Sequence, residues 1–179
     1  MTLPSYISLL RIILIIPIIY SINQKDTFFD LLALCLFLIA GITDYLDGYI
    51  ARKTKTESSL GALLDLLADK LLVCIVLIWL TYFYQTIHIV IPVILIITRE
   101  LVISSIRHFI VERIGKNPVK VTQIAKSKTT IQFIAISFLI ISPMFGSYFL
   151  YLTILLLWLA VFISLYSLIS YIKAYKNYF

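Results

Sequence analysis

The sequence predicts an all-α integral membrane protein with six transmembrane helices and a short N-terminal interfacial segment, and three observations carry that prediction. The chain has 179 residues, of which 61% are hydrophobic and 13% charged, and its mean hydropathy is +1.03. A chain of this size cannot hide so much apolar surface in one soluble core, so a bilayer must take it up. Residues 129–172 form a run of 44 without a charged or histidine side chain. That run is long enough for two spans of about 20 residues each, and Ser142, Pro143 and Gly146 supply the turn between them. The third observation is the clustering of basic residues in alternate connections.

The helices are expected at about 7–22, 28–51, 59–82, 87–112, 124–142 and 147–173, from the apolar stretches and their polar breaks. The first follows MTLPSYISLLR, which lacks the charged start and small-residue cleavage site of a secretory signal. The second ends in a polar tract that contains Asp44 and Asp47, and the third begins with Asp65 and Asp69. Residues 71–98 carry no Asp, Glu, Lys or Arg, but polar residues near Tyr84–His88 divide the tract between the third and fourth helices. No linker and no internal repeat interrupts the chain, so residues 1–179 read as one domain.

Arg52, Lys53 and Lys55, then Arg113, Lys116, Lys120, Lys126 and Lys128, then Lys173 and Lys176 fall on one side of this topology; the opposite turns offer only Lys25. This asymmetry places both termini, and the aspartate ends of helices two and three, in the cytoplasm. The net charge of +6 is thereby accounted for by topology and by attraction to anionic membrane lipids, with no need for a nucleic-acid partner. Cys35 and Cys74 sit in apolar stretches without metal-ligand spacing and read as small buried packing residues.

Four of the nine acidic residues, Asp44, Asp47, Asp65 and Asp69, lie within TDYLDGYIARKTKTESSLGALLDLLADKLL. Carboxylates at membrane depth are costly, and a cluster of them calls for a cation or a water-filled pocket. On helices, Asp44 and Asp47 are i,i+3 neighbours and Asp65 and Asp69 are i,i+4 neighbours, so each pair shares one face. Two facing pairs would form an oxygen cage suited to Mg²⁺, Mn²⁺ or Ca²⁺ rather than to zinc. Gly48, Ala51 and Gly61 each stand four residues from one of the acids. These small side chains leave room for a nucleotide beside the backbone, and Arg52 offers a guanidinium fork for phosphate.

The pattern Asp44-x-x-Asp47-Gly48-x-x-Ala51-Arg52, eight residues, Gly61-x-x-x-Asp65-x-x-x-Asp69 resembles the signature of the CDP-alcohol phosphatidyltransferase family at all eight fixed positions. The resemblance implies a six-helix enzyme, a homodimer, in the bacterial cytoplasmic (inner) membrane, with a polar cavity open to the cytoplasm. It also implies the reaction, in which a CDP-linked lipid gives its phosphatidyl group to an alcohol and CMP leaves. On that resemblance Asp44, Asp47, Asp65 and Asp69 hold divalent metal, Mg²⁺ or Mn²⁺, and Asp69 is the general base. Asp47, Gly48, Ala51, Arg52 and Gly61 bind the CDP moiety.

Further elements resemble a branch of the family that takes CDP-diacylglycerol as donor and sn-glycerol 3-phosphate as acceptor. They are Pro4-Ser5-Tyr6-Ile7-Ser8-Leu9-Leu10-Arg11, Arg99-Glu100, Arg107 and Ala125-Lys126-Ser127-Lys128-Thr129. Ser5, Ser8, Leu66 and Ala125 depart from the branch's usual residues. Arg99 and Arg107, eight residues apart, are expected along similar faces of the fourth helix, with Lys126 and Lys128 at the start of the fifth. These four cations are the candidates for the acceptor's phosphate, since Arg99 near mid-span requires an anionic partner. Cardiolipin, phosphatidylinositol-phosphate and phosphatidylserine synthases share the signature. A cation-coupled transporter would also carry intramembrane acids, but with inverted repeats or broken spans instead of one contiguous signature.

Overall fold

The computed structural model describes the backbone of residues 3–54, 59–114 and 123–174, and the side chains of residues 6–43, 61, 63–110, 112 and 128–173. The described residues form six α-helices and no strand: α1 (Leu3–Asn23), α2 (Thr27–Thr54), α3 (Ser59–Tyr84), α4 (Ile87–Ile114), α5 (Gln123–Phe145) and α6 (Ser147–Ala174). Each coincides with an expected helix to within a few residues. The separate interfacial segment expected at the N-terminus is not a distinct element, because α1 runs unbroken from Leu3.

Three of the connections are tight, and each is made by a residue in the left-handed region: Lys25 (φ 52°), Gln85 (φ 49°) and Gly146 (φ 78°). A left-handed residue just after a helix closes its last carbonyls and reverses the chain. Of the three, only Gly146 adopts this conformation without a side-chain penalty. Asp26 caps α2 by accepting the Phe28 amide on Oδ1 at 2.9 Å, which satisfies one of the free N–H groups at the helix start. The expected turn residues Ser142 and Pro143 remain inside α5, which continues to Phe145.

The helix α1 packs against α2 and α3, α5 against α6 and α2, and α4 against α6 and α3. The core between them is aliphatic, with Ile18, Phe37, Leu77, Ile136 and Leu157 fully buried. At Gly41 the helices α2 and α5 approach so closely that a Cβ would overlap the Phe133 ring. Phe133 is itself stacked on Phe37 with ring centroids 4.3 Å apart. At the far end of the bundle the Tyr84 hydroxyl donates to the Leu139 carbonyl at 2.7 Å and shares a hydrogen bond with Ser142 Oγ, which ties α3 to α5.

The outward surface is rich in large apolar side chains, among them Ile16, Phe28, Ile94, Leu155 and Phe162. Among the described residues, α1, α4, α5 and α6 are each long and apolar enough to cross a membrane, and α2 contributes a shorter apolar stretch, Thr27–Thr43. The chain is therefore a multi-pass membrane protein. Cys35 is exposed on the surface of α2, against the expectation of burial, and Cys74 is half-buried. In a membrane protein an outward apolar position faces lipid, so a small apolar residue need not face the core.

Candidate active site

The acidic site is built where α3 meets α1. Asp65 and Asp69 stand one turn apart on α3, as their i,i+4 spacing requires, and both carboxylates remain partly exposed. Into this pair α1 delivers Arg11, whose side chain is fully buried. Its Nη1 lies 2.5 Å from Asp69 Oδ1 and 3.4 Å from Asp65 Oδ1. Ser8, one turn earlier on the same face of α1, is also buried, and its hydroxyl donates to Asp65 Oδ1 at 3.5 Å. A single cation thus touches oxygens from both carboxylates.

That arrangement tests whether the residues present fit a divalent ion. The Asp65 and Asp69 oxygens converge on one positive centre, and the donor set is made of hard carboxylate oxygens, as Mg²⁺ and Mn²⁺ prefer. The described pair fits. Asp44, Asp47, Gly48, Ala51 and Arg52 lie on the α2 backbone, but their side chains lie outside the described residues. Among the described residues, no group of three or more potential ligands stands together. Gly61 opens α3 one turn before Asp65.

Asp69 also lines a second feature, an open cavity of about 550 Å³ bounded by residues of α2, α3, α4 and α5. Its lining mixes polar side chains, Asp69, Lys70, Glu100, Arg107, Lys128 and Gln132, with apolar ones that include Leu72, Phe133 and Ile134. This volume is that of a small-molecule site, and a lining of both polar and apolar side chains is usual for one. The lining includes three basic side chains, Lys70, Arg107 and Lys128, from three different helices.

Lys128 is 2% exposed, and its ammonium is ion-paired with Glu100 Oε1. Without such a partner a charge that deeply buried would be strongly destabilising. Arg107 is exposed toward the cavity, and Lys70 donates to Ser104 Oγ on α4. Lys126 belongs to the first turns of α5, with its side chain outside the described residues.

Arg99 stands elsewhere. Its guanidinium is 3.1 Å from Glu100 Oε1, donates to Ser167 Oγ at 3.1 Å, and bonds through Nε to the Ser164 carbonyl at 3.3 Å. It clasps α4 to α6 and is not part of the cavity wall. The expectation that Arg99 and Arg107 share a face is corrected by helix geometry: eight residues at about 100° each leave an offset of about 80°. Glu100 thereby joins Arg99 to Lys128 and connects α4, α5 and α6.

Arg11 and Ser8 are residues of the site to which the sequence pattern assigns no role. A signal for Arg11 is present, since it is the sole charged residue in α1 and an isolated arginine in an apolar span demands an anion. The Ser164 and Ser167 partners of Arg99 also carry a faint signal, two hydroxyls three residues apart on an apolar helix.

A membrane helix bundle with a carboxylate pair beside a cationic cavity has the charges to receive phosphate groups at a bilayer. The chain belongs to the CDP-alcohol phosphatidyltransferase family, whose profile matches residues 1–166. It is 39% identical to the CDP-diacylglycerol–glycerol-3-phosphate 3-phosphatidyltransferase of Rickettsia bellii over 180 residues, covering 99% of this chain and 97% of that protein. It is 33% identical to the protein of the same name from Haemophilus influenzae, covering 98% and 94%. With the Shigella flexneri serotype 5b protein of that name it shares 32% identity over 96% and 93%.

Proposed function

We infer that this chain transfers the phosphatidyl group of CDP-diacylglycerol to sn-glycerol 3-phosphate, giving phosphatidylglycerophosphate and CMP. The observation that carries this reading is the position of Asp69, which belongs both to the carboxylate pair and to the wall of the cationic cavity. A nucleophile held by the cations would lie beside the carboxylates, and relatives spanning nearly the whole chain bear the name of this activity.

In the proposed reaction the free primary hydroxyl of glycerol 3-phosphate attacks the diacylglycerol-bearing phosphorus. The new P–O bond forms as the bond to the CMP oxygen breaks, and the hydroxyl proton passes to Asp69. Arg107, Lys126 and Lys128 bind the acceptor's phosphomonoester, with Arg99 holding Glu100 and through it Lys128. Gly48, Ala51 and Gly61 leave space for the cytidine, and Asp47 and Arg52 bind the rest of the CDP moiety. Asp44, Asp47, Asp65 and Asp69 would hold Mg²⁺ or Mn²⁺, which when bound supplies Lewis-acid neutralisation of the diphosphate charge.

This reading includes a single domain over residues 1–179, six transmembrane spans, a homodimer, and contact with membrane lipids. It also sets the protein in a bacterial inner membrane, and the basic connections support an active site and both termini on the cytoplasmic side. Single cysteines placed near Lys55 and Lys120 are then expected to react with an impermeant maleimide only from the cytoplasmic side, and one near Lys25 only from outside. The opposite labelling pattern would reverse the assigned orientation.

The activity itself is tested with purified protein in lipid nanodiscs, CDP-diacylglycerol and Mg²⁺. CMP release is expected to depend on added glycerol 3-phosphate and to yield phosphatidylglycerophosphate. Release supported equally by serine or by phosphatidylglycerol would overturn the acceptor assignment and leave the family assignment standing.

A further inference from the structure

We propose that Arg11 is a positioning residue of the acidic site. It is a cation brought in by α1 that fixes the Asp65 and Asp69 carboxylates in one arrangement and weakens their hold on a divalent ion. The proposal rests on the reading of these aspartates as metal ligands.

The geometry that supports it is particular to this contact. Arg11 is fully buried, yet its partners are two partly exposed carboxylates on a helix 54 to 58 residues further along the chain. A residue that only stapled α1 to α3 could reach either acid alone; here one Nη1 atom contacts both, and Ser8 holds Asp65 Oδ1 from the preceding turn. The same Asp65 Oδ1 therefore receives two donors from α1, and the rotational freedom of its carboxylate is correspondingly restricted.

The electrostatic consequence follows from the charge count. The proposed ligand set has four aspartates, and the guanidinium returns one positive charge to within hydrogen-bond distance of two of them. A divalent ion at the same carboxylates would be repelled by that charge, so its affinity is lower than four carboxylates alone would give.

The test is Mn²⁺ binding to substrate-free protein in nanodiscs, followed by electron paramagnetic resonance, with kcat measured separately. Arg11→Gln removes the charge and is expected to bind Mn²⁺ at least about fivefold more tightly, while kcat falls because the carboxylates are no longer aligned. Arg11→Lys retains the charge but offers an ammonium in place of the planar fork. It is expected to keep Mn²⁺ affinity within about twofold of the unsubstituted protein and to lose at least about tenfold in kcat. If Arg11→Gln does not fold, Arg11→Lys decides alone, and unchanged kcat in that variant overturns the proposal. Unchanged or weaker Mn²⁺ binding in a folded Arg11→Gln protein, the result expected of a mere staple, also overturns it. Absence of Mn²⁺ binding in the unsubstituted protein removes the metal site and this proposal together. Mn²⁺ binding without any CMP release instead removes the proposed activity and leaves the role of Arg11 intact.

Discussion

Asp69→Asn is expected to lower kcat by at least about a hundredfold, the lower end of what a general base contributes, while leaving the affinity for CDP-diacylglycerol within a few-fold of normal. The substitution keeps the side-chain volume and removes the proton acceptor, at a position where α3 presents the carboxylate to both Arg11 and the cavity. Asp65→Asn is expected to lose turnover just as severely at ordinary Mg²⁺, with the difference that excess Mg²⁺ should restore much of it, because it subtracts charge from the metal cage without removing the base. Asp44→Asn and Asp47→Asn belong with Asp65→Asn on this reading. Single-turnover measurements of CMP release at several Mg²⁺ concentrations separate the two patterns. Near-normal turnover in Asp69→Asn would end its assignment as base, and a loss that excess Mg²⁺ restores would make it a metal ligand only.

Lys128→Gln and Arg107→Gln are expected to raise the apparent KM for glycerol 3-phosphate at least about tenfold, consistent with the ~1.5–3 kcal/mol of a charge-assisted hydrogen bond. The KM for the CDP-lipid should barely change. The two variants should differ in stability. Arg107 is exposed toward the cavity, and its loss should leave the thermal midpoint nearly unchanged. Lys128 is buried against Glu100, so its removal leaves a carboxylate with one fewer cation and should lower the midpoint as well. In Lys128→Gln the stability effect is common to both substrates, whereas the KM effect is confined to the acceptor. A rise in donor KM in either variant, with the acceptor unaffected, would transfer these cations to the nucleotide half of the site. Arg99→Gln offers a contrast: it should chiefly loosen the α4–α6 contact made through Ser164 and Ser167.

The acidic and cationic halves of the site differ in how far each is legible in the sequence. The spacing of Asp65 and Asp69 puts them on one face of a helix whatever that helix packs against, because the α-helical period is set by backbone geometry. The cationic residues are legible as a set but not as an arrangement. Lys128 and Arg107 reach the cavity, and Arg99 turns away to α6. Arg11 is visible as the lone charge of its helix, but its partners lie more than fifty residues away.

By itself, the sequence determined the all-helical class, the approximate limits of all six helices and the local pairing of acids. These follow from hydropathy, from charge and from interactions within a few residues of each other, which do not depend on how the helices are arranged. The tertiary structure decided which helix adjoins which. It placed α1 beside α3 so that Arg11 meets Asp65 and Asp69, and it set Asp69, Lys128 and Arg107 around one cavity. It also gave Arg99 to the serines of α6. In a chain that is apolar on nearly every helix face, amphipathic periodicity carries little information about which face turns inward. The neighbours are chosen by close packing, as at Gly41 against Phe133, and by the need of each buried charge to find its counter-ion on another helix.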